Sequence, residues 1–172
     1  ALGDEFTQLP MVTVVGDVKH AALVEDVLER EKPNVVFHAA AYKHVPLMEE
    51  TNAWQAVRNN AYGTWVIARA SVAAKVEKFV LVSTDKAVNP TSAMGASKRL
   101  AEIVCQTLQG GGTAFVVVRF GNVFGSAGSV IPRFREQIAR GGPVTVTHPE
   151  ITRFFMSISE ATQLLLQAGL QG

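Results

Sequence analysis

The densest chemistry in the chain is Ser83-Thr84-Asp85-Lys86-Ala87, where two hydroxyls, an acid and an amine follow the apolar run Phe79–Val82. Such groups at a strand's end can pass protons to and from a bound substrate. A turn capped by Asp85 accounts for Thr84 and Asp85 but gives Lys86 no reason to be there. Met94-Gly95-Ala96-Ser97-Lys98 sets residues 94 and 98 one helical turn apart on one face. From there Lys98 either reaches a ligand or pairs with Glu102. His38-Ala39-Ala40-Ala41-Tyr42-Lys43-His44 follows Val35–Phe37. Three alanines let a flat cofactor approach the backbone, and Lys43 can reach a ribose or phosphate. The alternative is a tight strand-to-helix packing site with His38 as a satisfied core histidine. His38 and His44 have no carboxylate at a useful spacing, which argues against a metal. Gly16-Asp17-Val18 places a short acid after Met11–Val15, either facing a ligand or capping the next helix. Arg119-Phe120-Gly121-Asn122-Val123 is the last cluster.

These clusters need a scaffold that brings strand ends together. Met11–Val15, Val35–Phe37, Phe79–Val82 and Phe115–Val118 are short, β-branched or aromatic, and apolar on both faces. Strands of a parallel sheet covered by helices on both sides read this way. Helical patterns lie between them: Ala21–Glu31, which stops before Pro33; Asn52–Ala74; and Gly95–Leu108, with an apolar stripe of Leu100, Ile103, Val104 and Leu108. Gly110-Gly111-Gly112 ends the third. The alternation predicts an α/β fold, a Rossmann-like doubly wound parallel sheet. Residues 1–120 form its partial dinucleotide-binding domain. Residues 121–172 read as a partial substrate lobe: a loop Gly121–Ser129, a helix Pro132–Arg140, a strand Val144–Thr147, the segment Arg153–Ile158 and a helix Glu160–Leu170. The glycine-rich phosphate turn of a complete dinucleotide fold is missing. Gly121, Gly125 and Gly128 follow a strand at the wrong spacing. The chain is therefore expected to begin after that turn.

Composition narrows the classes. With 172 residues, 48% apolar and 18% charged, the chain is expected to fold around one core. A net charge of +1 argues against a nucleic-acid surface. One cysteine, Cys105, excludes a disulfide framework and fits a reducing compartment. No apolar run reaches the ~18 residues of a membrane span, and no signal peptide is evident.

In order, Asp17, His38-Ala39-Ala40-Ala41, Asn60-x-x-Gly63-Thr64, Ser83-Thr84-Asp85-Lys86, Lys98 and Arg119-Phe120-Gly121-Asn122-Val123 resemble an extended short-chain dehydrogenase/reductase. Asp85-Lys86 and Tyr42-Lys43-His44-Val45-Pro46 are similar to the bacterial UDP-N-acetylglucosamine 4,6-dehydratases of polysaccharide biosynthesis, the WbpM/CapD type. The resemblance runs from about Val12 to Leu166 and is that of a truncated member. Where the wider family carries Tyr-x-x-x-Lys, this chain has Met94, as the large membrane-anchored members of the dehydratase group do.

The resemblance implies NAD as cofactor and a UDP-sugar as substrate. Hydride leaves sugar C4, the C5 proton becomes acidic, the C6 hydroxyl departs, and hydride returns to C6. A thioether cannot take the C4–OH proton, which leaves that task to Thr84 with Asp85. Carried over, Asp85 protonates the leaving hydroxyl and Lys86 is the C5 base, its pKa expected to be depressed by burial or by Lys98. Lys98 holds the nicotinamide ribose. Asp17 and Val18 flank adenine; Ala39, Ala40, Ala41, Lys43 and Ser83 line the cofactor; Asn60 buttresses it and Phe120 lies near nicotinamide. Asn122 and Arg153 are candidates for the sugar diphosphate, Arg153 having a surface ion pair with Glu150 or Glu160 as its alternative. The resemblance further implies a cytoplasmic enzyme of surface-polysaccharide (lipopolysaccharide-type) synthesis, its full-length relatives anchored at the inner membrane. A homo-oligomer is compatible with it. A UDP-sugar 4-epimerase and a non-catalytic UDP-sugar-binding fragment are the rival readings; Asp85-Lys86 argues against the epimerase, which eliminates nothing at C6.

Overall fold

The computed structural model describes residues 9–126, 130–146 and 148–171. Parts of the expected loop Gly121–Ser129 and strand Val144–Thr147 lie outside the described residues.

Three strands, β1 (Val35–His38), β2 (Lys78–Thr84) and β3 (Ala114–Phe120), form a parallel sheet in that order. Phe79, Val80 and Leu81 at its centre are wholly buried, so the apolar character of both faces reflects cover on both sides. One face, carrying Val36, Phe79 and Leu81, packs with Ala68, Ala101 and Cys105. On the other lies the last helix, α6 (Ile158–Gln171), where a Cβ at Gly169 would stand 2.7 Å from the Phe37 ring. The fold is thus the α/β parallel-sheet architecture expected from the sequence.

The connections explain their own ends. Helix α1 (Ala21–Glu31) stops where Lys32 turns left-handed, with Pro33 next. The run expected as one helix over Asn52–Ala74 is helical but not uniform. A short α2 (Ala53–Ala56) widens into a π-turn over Val57–Tyr62 before α3 (Gly63–Ala73). Such bulges gather at functional sites, and this one carries Asn59 and Asn60. Helix α4 (Ala93–Thr107) starts at Ser92, whose Oγ accepts the Gly95 N–H at 3.1 Å. Beyond β3, the short strands β4 (Asn122–Val123) and β5 (Phe155–Met156) pair in parallel, with helix α5 (Val130–Ala139) between them in sequence.

Three sequence expectations are corrected. Met11–Val15 is not a strand: no described strand lies alongside to share its hydrogen bonds, and Val15 is 95% exposed. Val144–Val146 is not one either, because the Thr145 N–H and hydroxyl are satisfied by the Gln137 side chain. The apolar stripe of α4 is only partly buried: Leu108 packs against the core, but Leu100 and Ile103 are 44% and 40% exposed. The helix's buried face is Met94, Ser97, Lys98, Ala101, Glu102 and Cys105. Small residues there let the helix approach the sheet, and two ions are held at the interface. Accordingly, Phe79→Ala should cost about 3–5 kcal/mol in denaturant unfolding, the usual range for a buried Phe. Leu100→Ala, on the face the apolar pattern would have buried, should stay within about 0.5 kcal/mol.

Candidate functional site

The carboxyl ends of β1, β2 and β3 open together on one cavity of about 410 Å3. Ligands bind outside this edge in open α/β sheets, and the volume suits a small ligand. Ala39, Ala41 and Lys43 line it from the segment after β1. Ser83, Thr84 and Lys86 line it from β2 and the turn beyond; Met94 and Lys98 come from α4; Phe120, Asn122 and Arg153 close the remaining side.

Asp85 does not itself line this cavity but is the hub of side chains that do. Its Oδ1 accepts from Thr84 Oγ1 at 3.0 Å and from Lys86 Nζ at 3.0 Å. Lys86 Nζ also donates to Asn122 Oδ1 at 3.3 Å, while Asn122 Nδ2 is buried with no partner among the described residues. An orphaned donor beside a cavity is a group awaiting a ligand's acceptor. The Lys86 turn has no slack: a Cβ on Gly95 would lie 2.4 Å from the Lys86 carbonyl oxygen. Met94, 4% exposed, packs beside this cluster.

Lys98 is 5% exposed and donates to the Val82 carbonyl at 2.6 Å rather than to Glu102. Burial pulls its ammonium down to about 8, against the opposing pull of Glu102. His38 is the satisfied core histidine of the alternative reading, with Nε2 3.0 Å from Thr64 Oγ1. Burial, aided by the Lys98 charge, holds its pKa down at about 4, so the ring is neutral at pH 7. Asn60 stands behind the cavity: its Oδ1 accepts the Tyr42 N–H at 2.7 Å, and its Nδ2 donates to the Tyr42 carbonyl and to Ser97 Oγ. It thereby fixes the loop bearing Lys43 against α4. Ala40 belongs to that loop but not to the cavity lining.

Asp17 and Val18 lie elsewhere, in an apolar groove of about 200 Å3 with Leu23, Leu28 and Ile67. Asp17 does not cap α1; it accepts the Lys19 N–H at 2.9 Å and pairs with Lys19 Nζ at 2.8 Å. Glu160, a suggested partner of Arg153, is taken up by the Ser157 N–H instead. No metal-binding group of residues occurs among those described, and no described helix is long and apolar enough to cross a membrane.

The sequence did not point to Glu102 as more than a partner for Lys98. Its carboxylate is 1% exposed and accepts from Ser83, Arg99 and Arg119. Burial raises its pKa, but these hydrogen bonds outweigh that and bring it down to about 2. Only the register of Ser83 opposite Arg119 makes the cluster visible.

A parallel sheet with its chemistry at the carboxyl edge defines a Rossmann-like α/β fold. The chain belongs to the polysaccharide biosynthesis protein family, whose model matches residues 2–172. It is 55% identical, over 94% of its length, to the capsular polysaccharide biosynthesis protein CapD of Staphylococcus aureus, and covers 27% of that protein. It is 40% identical, over 90% of its length, to a UDP-glucose 4-epimerase of Rickettsia rickettsii, of which it covers 46%. The solved structure of Pen from Bacillus thuringiensis superposes with a TM-score of 0.88 at 37% identity, covering 99% of this chain and 54% of that one. Further structures at 21–23% identity share the fold with TM-scores of 0.77–0.82, and most are described with NAD bound. The chain thus spans between about a quarter and a half of the length of these curated relatives.

Lys98 offers a direct check. The carbon-13 NMR shift of its Cε should titrate near pH 8, not near 10.5. Because the folded value is the lower, the unfolded chain binds more protons between these values, so stability should rise with pH across that window. A Lys98 midpoint near 10.5 would contradict the burial described.

Proposed function

We propose that this chain carries the catalytic cluster of an NAD-dependent nucleotide-sugar 4,6-dehydratase, a lyase converting UDP-N-acetylglucosamine to a 4-keto-6-deoxy sugar for bacterial surface polysaccharide. The observation that carries the reading is the contact of Thr84, Asp85 and Lys86 around one carboxylate oxygen on the cavity edge. Elimination across C5–C6 needs a base at C5 and an acid at the C6 oxygen; oxidation at C4 needs an acceptor for the hydroxyl proton.

The residues suit the cofactor. Ala39 and Ala41 keep the strand end flat where a ring must approach, and Lys98 and Thr84 offer a donor and a hydroxyl beside it. NAD is the cofactor described for most of the fold neighbours, and bound here it would supply reversible hydride chemistry at the sugar. The chain's own groups move the protons. Thr84 Oγ1 receives the C4–OH proton and passes it along its hydrogen bond to Asp85. Asp85 delivers that proton to the C6 hydroxyl, which leaves as water. Lys86 removes the C5 proton and returns it once C6 has been reduced. One C4–OH proton thus ends in water, and the redox balance is zero. Asn122 Nδ2 and the forked Arg153 guanidinium suit the diphosphate. Met94 packs beside the sugar and exchanges no proton.

The 40% identity to proteins named UDP-glucose 4-epimerase favours a second reading, epimerisation at C4. The two separate on mutation of the catalytic domain that contains this chain. Lys86→Ala and Asp85→Asn should each lower dehydration by about 10²–10⁴, the usual worth of a positioned acid or base. Met94→Ala should cost far less. Product is followed by mass spectrometry and by the absorbance of the 4-keto sugar; near-normal dehydration in both acid–base variants would rule out these roles.

A further inference from the structure

We propose that Glu102 is a positioning residue of this site, tethering the ends of β2 and β3 to α4 so that Thr84, Asp85, Lys86 and Asn122 converge. The inference rests on the dehydratase reading above. Both carboxylate oxygens are fully used. Oε1 accepts from Ser83 Oγ at 2.6 Å and Arg119 Nε at 2.9 Å; Oε2 accepts from Arg119 Nη2 at 2.7 Å and Arg99 Nη1 at 2.8 Å.

The placement of those partners gives the tether its reach. Ser83 and Arg119 face each other across β2 and β3, in the last pairing but one of that ladder. Thr84, Asp85 and Lys86 follow directly on one strand, Phe120 and Asn122 on the other. One turn earlier on α4, Lys98 holds the carbonyl of Val82. The helix therefore grips two consecutive residues of β2, and through Arg119 it grips β3 as well. Little play is available downstream: a Cβ on Gly121 would meet the Phe154 carbonyl oxygen at 2.6 Å. An orientation set at Arg119 is thus passed to Asn122, and Lys86 Nζ spans the remaining gap at 3.3 Å.

A buried carboxylate such as Glu102, whose two arginines reach solvent at 39% and 41% exposure, is a costly way to stabilise a fold, since apolar residues of similar volume often serve as well. A forked carboxylate–guanidinium contact does what apolar packing cannot: it sets direction as well as distance. That is the property required where a displacement of about 1 Å can cost 10²-fold in rate.

The test compares Glu102→Gln with Glu102→Gln/Arg119→Gln in the catalytic domain. The single variant breaks the fork but leaves Arg119, whose side chain is 41% exposed, free to turn to water, so it should lower turnover with only a modest loss of thermal stability. The double variant removes the second half of the fork as well, so its melting temperature should stay close to that of the single variant. Its kcat should remain about 10–100-fold down, with KM for UDP-N-acetylglucosamine within about twofold of wild type, because the tether is still absent. Turnover that recovers in the double variant would assign Glu102 a purely structural role and overturn the proposal, as would normal turnover in the single variant. A second readout is independent of the reaction. In the double variant the Thr84 methyl and Asn122 side-chain NMR signals should shift or broaden. Should the wild-type domain fail to dehydrate the sugar, the functional reading falls, and unchanged signals at Thr84 and Asn122 would then overturn the tether as well.

Discussion

A carboxylate removed from water must have its charge answered in place, and Glu102 is the point where this fold meets that demand. Leaving such a group unpaired would cost several kcal/mol. The partners that prevent this lie on two strands and on α4 itself, so satisfying the charge and fixing the sheet edge are one event. The same requirement shapes the helix. Ser97, Ala101 and Cys105 keep its inner face narrow, which allows Lys98 and Glu102 to reach the strands at hydrogen-bond distance. Cys105, in this packing, is held up to about 12 by burial and is a filler rather than a nucleophile.

The electrostatics of the cavity follow from its distance to water. Lys98 and His38 both sit deep, and burial disfavours charge on each. Asp85 and Lys86 sit nearer the mouth, with side chains 27% and 29% exposed, and answer each other's charge. The π-turn contributes as well. By widening the helix at Val57–Tyr62 it turns Asn59 and Asn60 inward, and Asn60 then holds both polar groups of the Tyr42 backbone.

Much of this was legible from residue types. β1, β2 and β3 begin or end within a few residues of where β-branched and aromatic runs placed them, because a strand covered on both sides has no polar face to disguise it. Pro33 marked the end of α1. The Thr84-Asp85-Lys86 set stood out because a turn had no use for the lysine, and Thr84 and Lys86 line the cavity with Asn122 and Arg153. Met11–Val15 has the same composition as a strand, yet composition reports only the capacity to pair, and pairing needs a neighbour.

The sequence by itself determined the alternation of strands and helices, the edge at which chemistry collects, and the family to which the chain belongs. These depend on side chains near one another along the chain. Tertiary structure decided which face of α4 is buried: of the apolar stripe it kept Leu108 against the core and left Leu100 and Ile103 to solvent. It also took Glu102 away from Lys98, its neighbour one turn on, and gave it to Ser83 and Arg119. The physical reason is range. Hydrophobic periodicity is a property of one helix alone, whereas the partners of a buried charge are set by the register of strands that sequence separation hides.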